Sequence, residues 1–135
     1  MMNGDKLVRT ARSHIGKIRY AKCKGAPYRQ DPESGMTCYN FLRFVASEAG
    51  IFIPERVGTT YVGCWEMWNL FQKSEPVNGV AVFFNGRSNG KPGHIGIYIG
   101  EGTAVHLSKE RGTVTEDPVN EVGNVMGYRR IVCEQ

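Results

Sequence analysis

Two spacings divide the chain. Apolar side chains first recur every three or four positions; beyond Glu75 they alternate or run in short blocks. In residues 5–14, Leu7, Val8 and Ala11 share one stripe and Gly16 follows, which predicts a short amphipathic helix. Residues 17–36 are rich in glycine, proline and charge and read as a long loop, a feature more often functional than accidental in compact domains. A second helix is predicted from Cys38, with Thr37 as N-cap and Phe41, Phe44, Val45 and Ala49 at helical spacing. Gly50 suits the C′ position and Pro54 prevents continuation. A further short helix is predicted over 61–72. Residues 80–84, 94–99, 103–107, 113–115 and 127–133 then read as strands separated by Gly, Asn and Pro turns. Helices first and strands afterwards predict one α+β domain over residues 1–135, with an antiparallel sheet.

Composition narrows the class. With 135 residues, 41% hydrophobic and 22% charged, the chain can bury one core, and disordered or fibrous classes drop out. No apolar run approaches the ~18 residues of a membrane span, so no transmembrane segment is expected. The opening MMNGDKLVRTARSHIGK lacks the apolar stretch and cleavage site of a signal peptide, which predicts synthesis in the cytoplasm without an encoded export route. The net charge of +4 favours acidic partners, but the basic residues are scattered and not interleaved with aromatics, so nucleic acid is not an expected partner. Cys23, Cys38, Cys64 and Cys133 form no CxxC pair, which argues against a zinc ribbon or thioredoxin-like motif and favours free thiols.

One cysteine has special company. Cys38 falls in the first turn of its predicted helix, where unpaired N–H groups favour a thiolate and can donate to an oxyanion beside the sulfur. The chain has three histidines, and two of them lie in HIGIYIGEGTAVHLS. Strand alternation puts Ile95, Ile97 and Ile99 toward a core and His94, Gly96 and Tyr98 on the opposite face. A turn of three or five residues around Gly100-Glu101-Gly102 would place His106 on the face of His94; an even-length turn would part them. His94 would then serve as base for Cys38, with His106 orienting it, and Gly96 would leave room for substrate. The same three residues could form a zinc site with an open position, although no element supplies two ligands at metal spacing. Trp65 and Trp68, with Tyr61, could line a cleft, but aromatics at helical spacing belong more often to a core, with Cys64 buried among them. Cys23 reads as an inert loop thiol and His14 as an ordinary helix-end residue. Asn85, Asn89 and Gly90 mark a loop before Lys91-Pro92-Gly93, which would border the cleft ahead of His94.

With these residues in view, the chain resembles the NlpC-like family of papain-fold cell-wall cysteine peptidases over most of its length and in the same order. SHIGKIRY resembles the end of the family's first helix and the segment bearing its active-site tyrosine, aligning Tyr20; Tyr28, in Ala-Pro-Tyr, is a competing match. GMTCYNFLRFVASEAGIFIP resembles the nucleophile helix, EPVNGVAVFF the strand after it, and GHIGIYIGEGTAVHLS the segment carrying the base and a third polar residue twelve positions on. The resemblance implies a papain-like α+β fold and a catalytic set of Cys38, His94 and His106, acting through an acyl-enzyme without metal or organic cofactor. Tyr20 or Tyr28, Tyr39, Trp65, Gly93 and Gly96 would contact substrate. The implied substrates are peptidoglycan stem peptides or muropeptides, typically cleaved at the γ-D-glutamyl bond to a diamino acid. Where the family reads Asp-Cys-Ser-Gly, this chain has Thr37-Cys38-Tyr39-Asn40, and the loop before Cys38 is longer than usual. An amidase or acyltransferase acting on a non-wall substrate, and a catalytically silent binding module, are the alternatives. A wall substrate without an export signal would imply delivery to the cell envelope by a phage or secretion route, a role in wall recycling, or a place within a longer chain.

Overall fold

The computed structural model describes residues 2–22, 30–87 and 90–131, so Cys23, Tyr28, Asn89 and Cys133 lie outside the described residues. Helix α1 (Met2–Arg12) starts earlier than the apolar stripe suggests and buries Leu7, Val8 and Ala11. Helix α2 (Cys38–Glu48) runs as expected. It ends in a Schellman-type closure: Gly50 takes φ +86° and donates to the Ser47 carbonyl, while Ile51 donates to that of Ala46. His14 ties the two helices together through a 2.6 Å contact between its Nε2 and Glu48 Oε1, with its ring against Phe44.

The rest of the chain is mostly sheet. Strands β1 (Arg56–Val57) and β2 (Thr60–Tyr61) form a small ribbon ahead of helix α3 (Cys64–Leu70), which is shorter than the stretch predicted from its apolar spacing. Strands β3 (Gln72–Ser74), β4 (Ala81–Asn85), β5 (Pro92–Gly100), β6 (Thr103–Leu107), β7 (Val114–Pro118) and β8 (Val125–Arg130) form one antiparallel sheet in the order β3-β8-β4-β5-β6-β7. The short helix α4 (Val119–Val122) and strand β3 carry no signal in the apolar spacing, being too short to establish a period.

Helices α1, α2 and α3 cover one face of the sheet. Ala81, Phe83, Ile95, Ile97, Ile99, Val105, Leu107 and Val114 pack there with Phe41, Val45 and Met67 in the main core. The opposite face is not bare: Val82, Phe84 and Ala104 form a second buried cluster with Val119, Val122 and Tyr128. Burial on both faces explains why residues 80–84 read as an uninterrupted apolar run instead of alternating.

A segment from Ile18 to Ala21 threads between the approach to β7 and the chain ahead of α2. Tyr20 N–H donates to the Gly112 carbonyl at 2.8 Å, and the Val114 N–H donates to the Ile18 carbonyl. On the other side, the Met36 N–H donates to Arg19 and the Ala21 N–H to Met36. This places Tyr20 beside the residues that lead into Cys38.

Phe83 is fully buried in the main core, with its ring 5.1 Å from that of Trp68 and 6.4 Å from that of Phe71. Phe83→Ala is expected to destabilise the fold by about 3–5 kcal/mol. Urea titration should show a lower midpoint with an unchanged slope.

Candidate active site

Cys38 is the first residue of α2 and is 9% exposed. Thr37 occupies the N-cap position in an extended conformation, but its hydroxyl makes no capping bond and Oγ1 has no hydrogen-bond partner among the described residues. The start of the helix is held from outside. Gln30 Oε1 accepts from the Thr37 N–H at 2.6 Å and from Asn40 Nδ2 at 2.8 Å. Asn40 Oδ1 in turn accepts from the Tyr61 hydroxyl at 2.7 Å and from Arg43 Nη1 at 2.6 Å. Arg43 also donates to the Val62 carbonyl and lies over the Tyr61 ring. A polar network therefore fixes the first turn of α2, using residues that a reading of apolar spacing passes over.

Strands β5 and β6 contribute one imidazole each, and β7 contributes Thr115 and Asp117. Register pairs Ile97 with Val105 and Tyr98 with Ala104, so positions 94, 96, 104 and 106 share a face. His94 Nε2 and His106 Nδ1 lie 2.8 Å apart. His106 Nε2 lies 2.9 Å from Asp117 Oδ2, which also accepts from the Thr115 hydroxyl at 2.7 Å. Arg111 Nη2 is 3.1 Å from Asp117 Oδ1. His106 and Asp117 are both buried.

Asp117 is not among the sequence candidates, because the strand predicted at 113–115 ends too soon. Its signal is alternation: continued to Pro118, β7 puts Thr115 and Asp117 on one face, paired with His106 and Ala104.

The carboxylate sets the direction of the hydrogen bonds. Burial pushes the Asp117 carboxyl up, but bonds from Thr115 and His106 and the Arg111 charge outweigh it and leave its pKa lowered. An ionised Asp117 can only accept, so His106 carries its proton on Nε2 and presents the Nδ1 lone pair to His94. His94 then donates from Nε2, leaving Nδ1 for the thiol, with which it hydrogen-bonds. Burial pulls the pKa of His106 down, against the pull of Asp117, which keeps this middle imidazole neutral.

The Cys38 thiol is held well below the usual thiol range. Its hydrogen bond with Cys64 is the largest cause, followed by the hydrogen bond and charge of His94 and the Ile95 N–H, against the opposing effect of burial. The two sulfurs are 3.7 Å apart. Cys64 is pushed the other way, well up, by the same hydrogen bond, by burial and by the charges of Cys38 and Glu66. The sequence predicts Cys64 to be buried among the aromatics of its helix; its sulfur lies against the candidate nucleophile.

The other sequence candidates scatter. Tyr20 comes close enough for the Cys38 charge to add to burial in raising its pKa. Tyr39, next to Cys38 in the chain, is half-buried and packs edge-on against Tyr61. Trp65 is 38% exposed, with the Lys91 ammonium 5.5 Å from its ring centre, whereas Trp68 packs on Phe83 under Arg129. Two glycines do a different job from the one expected. A Cβ at Gly96 would sit 3.2 Å from both His106 Cβ and the Val105 carbonyl oxygen, so the glycine accommodates the close approach of β6. Gly93 lies against Gly86, where a Cβ would meet Gly86 Cα at 2.6 Å. A cleft of about 680 Å³ opens beside His94, His106 and Asp117 and is rimmed by Lys109, Arg111 and Glu121. The imidazoles face each other nitrogen to nitrogen, and among the described residues no three His, Cys, Asp or Glu side chains converge as a metal site would require.

The model of the NlpC/P60 family matches residues 25–131. No curated protein gave a significant match. Among solved structures, an NLP/P60 family protein similar to a lipoprotein, from Staphylococcus aureus, superposes with a TM-score of 0.70 at 18% identity. The alignment covers 98% of this chain but 42% of that one, so the chain spans less than half of that relative. The NlpC/p60 domain of the peptidoglycan hydrolase SagA gives 0.67 at 22% identity, covering 95% of this chain and 98% of that one. RipD of Mycobacterium tuberculosis, a non-catalytic NlpC/p60 domain protein adapted to peptidoglycan binding, gives 0.70 at 15% identity over 96% and 98%. At such identities the superpositions establish a shared fold. The family match extends over most of the sequence, and the chain belongs to the NlpC/P60 family.

Proposed function

We propose that the protein is a cysteine hydrolase that cleaves amide bonds in peptidoglycan stem peptides, with Cys38 as nucleophile and His94 as base. The observation that carries this reading is the unbroken polar chain from thiol to carboxylate: Cys38, His94, His106 at 2.8 Å and Asp117 at 2.9 Å. The wall substrate follows from family membership and from the likeness to the domain of a peptidoglycan hydrolase.

In this mechanism His94 takes the thiol proton, and the thiolate attacks the scissile carbonyl carbon. The start of α2, free of a side-chain cap, stabilises the charge that forms on oxygen. The His94 imidazolium then gives its proton to the leaving amine, and the acyl-enzyme forms as the C–N bond breaks. Water, activated by the same imidazole, releases the acid and restores the thiol. His106 and Asp117 hold the ring of His94 in the tautomer that leaves Nδ1 open to sulfur. Tyr20, beside the thiol, borders the site of attack.

Purified muropeptides incubated with the protein should yield shortened peptides detectable by chromatography and mass spectrometry, and Cys38→Ala should yield none. Asp117→Asn, which can offer an N–H to His106 and reverse the run of hydrogen bonds, should lower kcat by about a hundred-fold or more. The likeness to a non-catalytic member names the competing reading, a wall-binding module. Binding of muropeptides without turnover would favour it.

Thiol labelling tests the base separately. A lowered pKa means that Cys38 is thiolate at pH values where an ordinary thiol is still protonated, while the raised pKa of Cys64 keeps that sulfur protonated. Iodoacetamide at pH 6 should therefore label Cys38 far ahead of Cys64. His94→Ala removes two of the influences that lower the pKa, so the advantage at pH 6 should shrink and the labelling curve move to higher pH. Equal labelling of the two sulfurs in the wild type would remove the nucleophile from this reading.

A further inference from the structure

Cys64 forms no bond and moves no proton in the hydrolytic steps, where it acts only on the pKa of Cys38, yet its sulfur lies 3.7 Å from that of Cys38. We propose that Cys38 and Cys64 form a reversible oxidation site, in which a hydroperoxide oxidises the nucleophile and Cys64 captures the product as an intramolecular disulfide. A disulfide requires the sulfurs to approach to about 2.05 Å. The remaining ~1.7 Å is shared between two side chains, and rotation about their Cα–Cβ bonds is the direct route to closing it. Each cysteine is the first residue of its helix, so the bond would join the start of α2 to the start of α3.

The chemistry divides between the two sulfurs. The Cys38 thiolate attacks the distal oxygen of the hydroperoxide and the O–O bond breaks. The alkoxide or hydroxide leaves with a proton from the His94 imidazolium, and sulfur, losing two electrons, becomes a sulfenic acid. Cys64 sulfur then attacks Cys38 sulfur, the S–O bond breaks, and the hydroxyl departs as water with the Cys64 proton. A dithiol reverses the reaction by two exchanges, returning both thiols and leaving with its own disulfide.

The order of events is built into the pair. Before oxidation, the hydrogen bond to Cys38, burial and the Cys38 charge together hold the proton on Cys64, so this sulfur is a poor target for peroxide. Conversion of Cys38 to a neutral sulfenic acid removes its charge and its thiolate acceptor. Only burial and Glu66 then oppose ionisation of Cys64, and the second sulfur becomes competent once its partner has reacted. The disulfide withholds the nucleophile while it lasts and shields it from irreversible oxidation to sulfinic acid. The proposal extends beyond hydrolysis and does not depend on which amide is cleaved.

The test treats the 135-residue chain with a small molar excess of hydrogen peroxide, blocks remaining thiols and maps peptides by mass spectrometry before and after dithiothreitol. The wild type should yield a cross-linked peptide pair containing Cys38 and Cys64, and reductant should restore iodoacetamide labelling of Cys38. In Cys64→Ser, and in Cys64→Ala as a second background, the same treatment should carry Cys38 to sulfinic acid, which dithiothreitol does not reverse. Cross-linking of Cys38 to Cys23 or Cys133, or sulfinic acid formed equally fast with and without Cys64, would overturn the proposal. Muropeptide turnover by the reduced wild type is read in parallel, so a protein that forms the disulfide but cleaves nothing would count against the hydrolase alone.

Discussion

The polar chain exists because of one irregularity in the β5–β6 hairpin. The turn itself is a two-residue type, with Glu101 at φ 53° and Gly102 at φ 75°, and its flanking residues Gly100 and Thr103 pair. Continued without interruption, that pairing would match even with odd positions and turn His106 toward the helices, where Leu107 and Val105 now pack. A bulge between Tyr98 and Gly100 shifts the register by one, so Tyr98 meets Ala104 and Ile97 meets Val105. That shift brings His106 to the face of His94 while keeping Ile95, Ile97 and Ile99 in the core. Gly96 completes the arrangement by accommodating the close approach of β6.

Opposite this face, the nucleophile is placed by bonds that reach the helix start from outside it. A capping hydroxyl at Thr37 would satisfy a backbone donor and remove it from the site; Gln30 instead binds the Thr37 N–H and leaves the hydroxyl uninvolved. The network through Asn40, Arg43 and Tyr61 is part-buried and shares the Asn40 amide, so each member helps to fix the position of the first turn. At the thiol, desolvation opposes ionisation and is outweighed by contacts with Cys64, His94 and the Ile95 N–H together.

Much of this is legible in the residues. Helical spacing finds α1, α2 and α3, and alternation or a short apolar run between turns finds five of the sheet strands. Cys38, His94 and His106 stand out because few residue types can act as nucleophile or base, and their elements are recognisable. The parity of the hairpin is the open step: the sequence offers an odd turn or an even one, and the molecule uses an even turn corrected by a bulge. Asp117 escapes because its strand is cut short. Gln30, Asn40 and the role of Cys64 escape for a deeper reason, since the contacts Gln30–Asn40, Asn40–Tyr61 and Cys38–Cys64 join residues 10 to 26 positions apart that meet only when loops fold back.

The placement of the polar residues along the chain has a consequence for how reactivity arises. His94, His106 and Asp117 are separated by 12 and 11 residues and sit on neighbouring strands of a meander, so their assembly closes only short loops. The thiol comes from a segment far earlier in the chain, on a helix whose first turn is held by Gln30 and Tyr61. The basic end of the site can therefore form early and persist through openings that lift α2 from the sheet. Full activation of the sulfur belongs to the closed state, and a nascent or partly unfolded chain would carry an ordinary thiol.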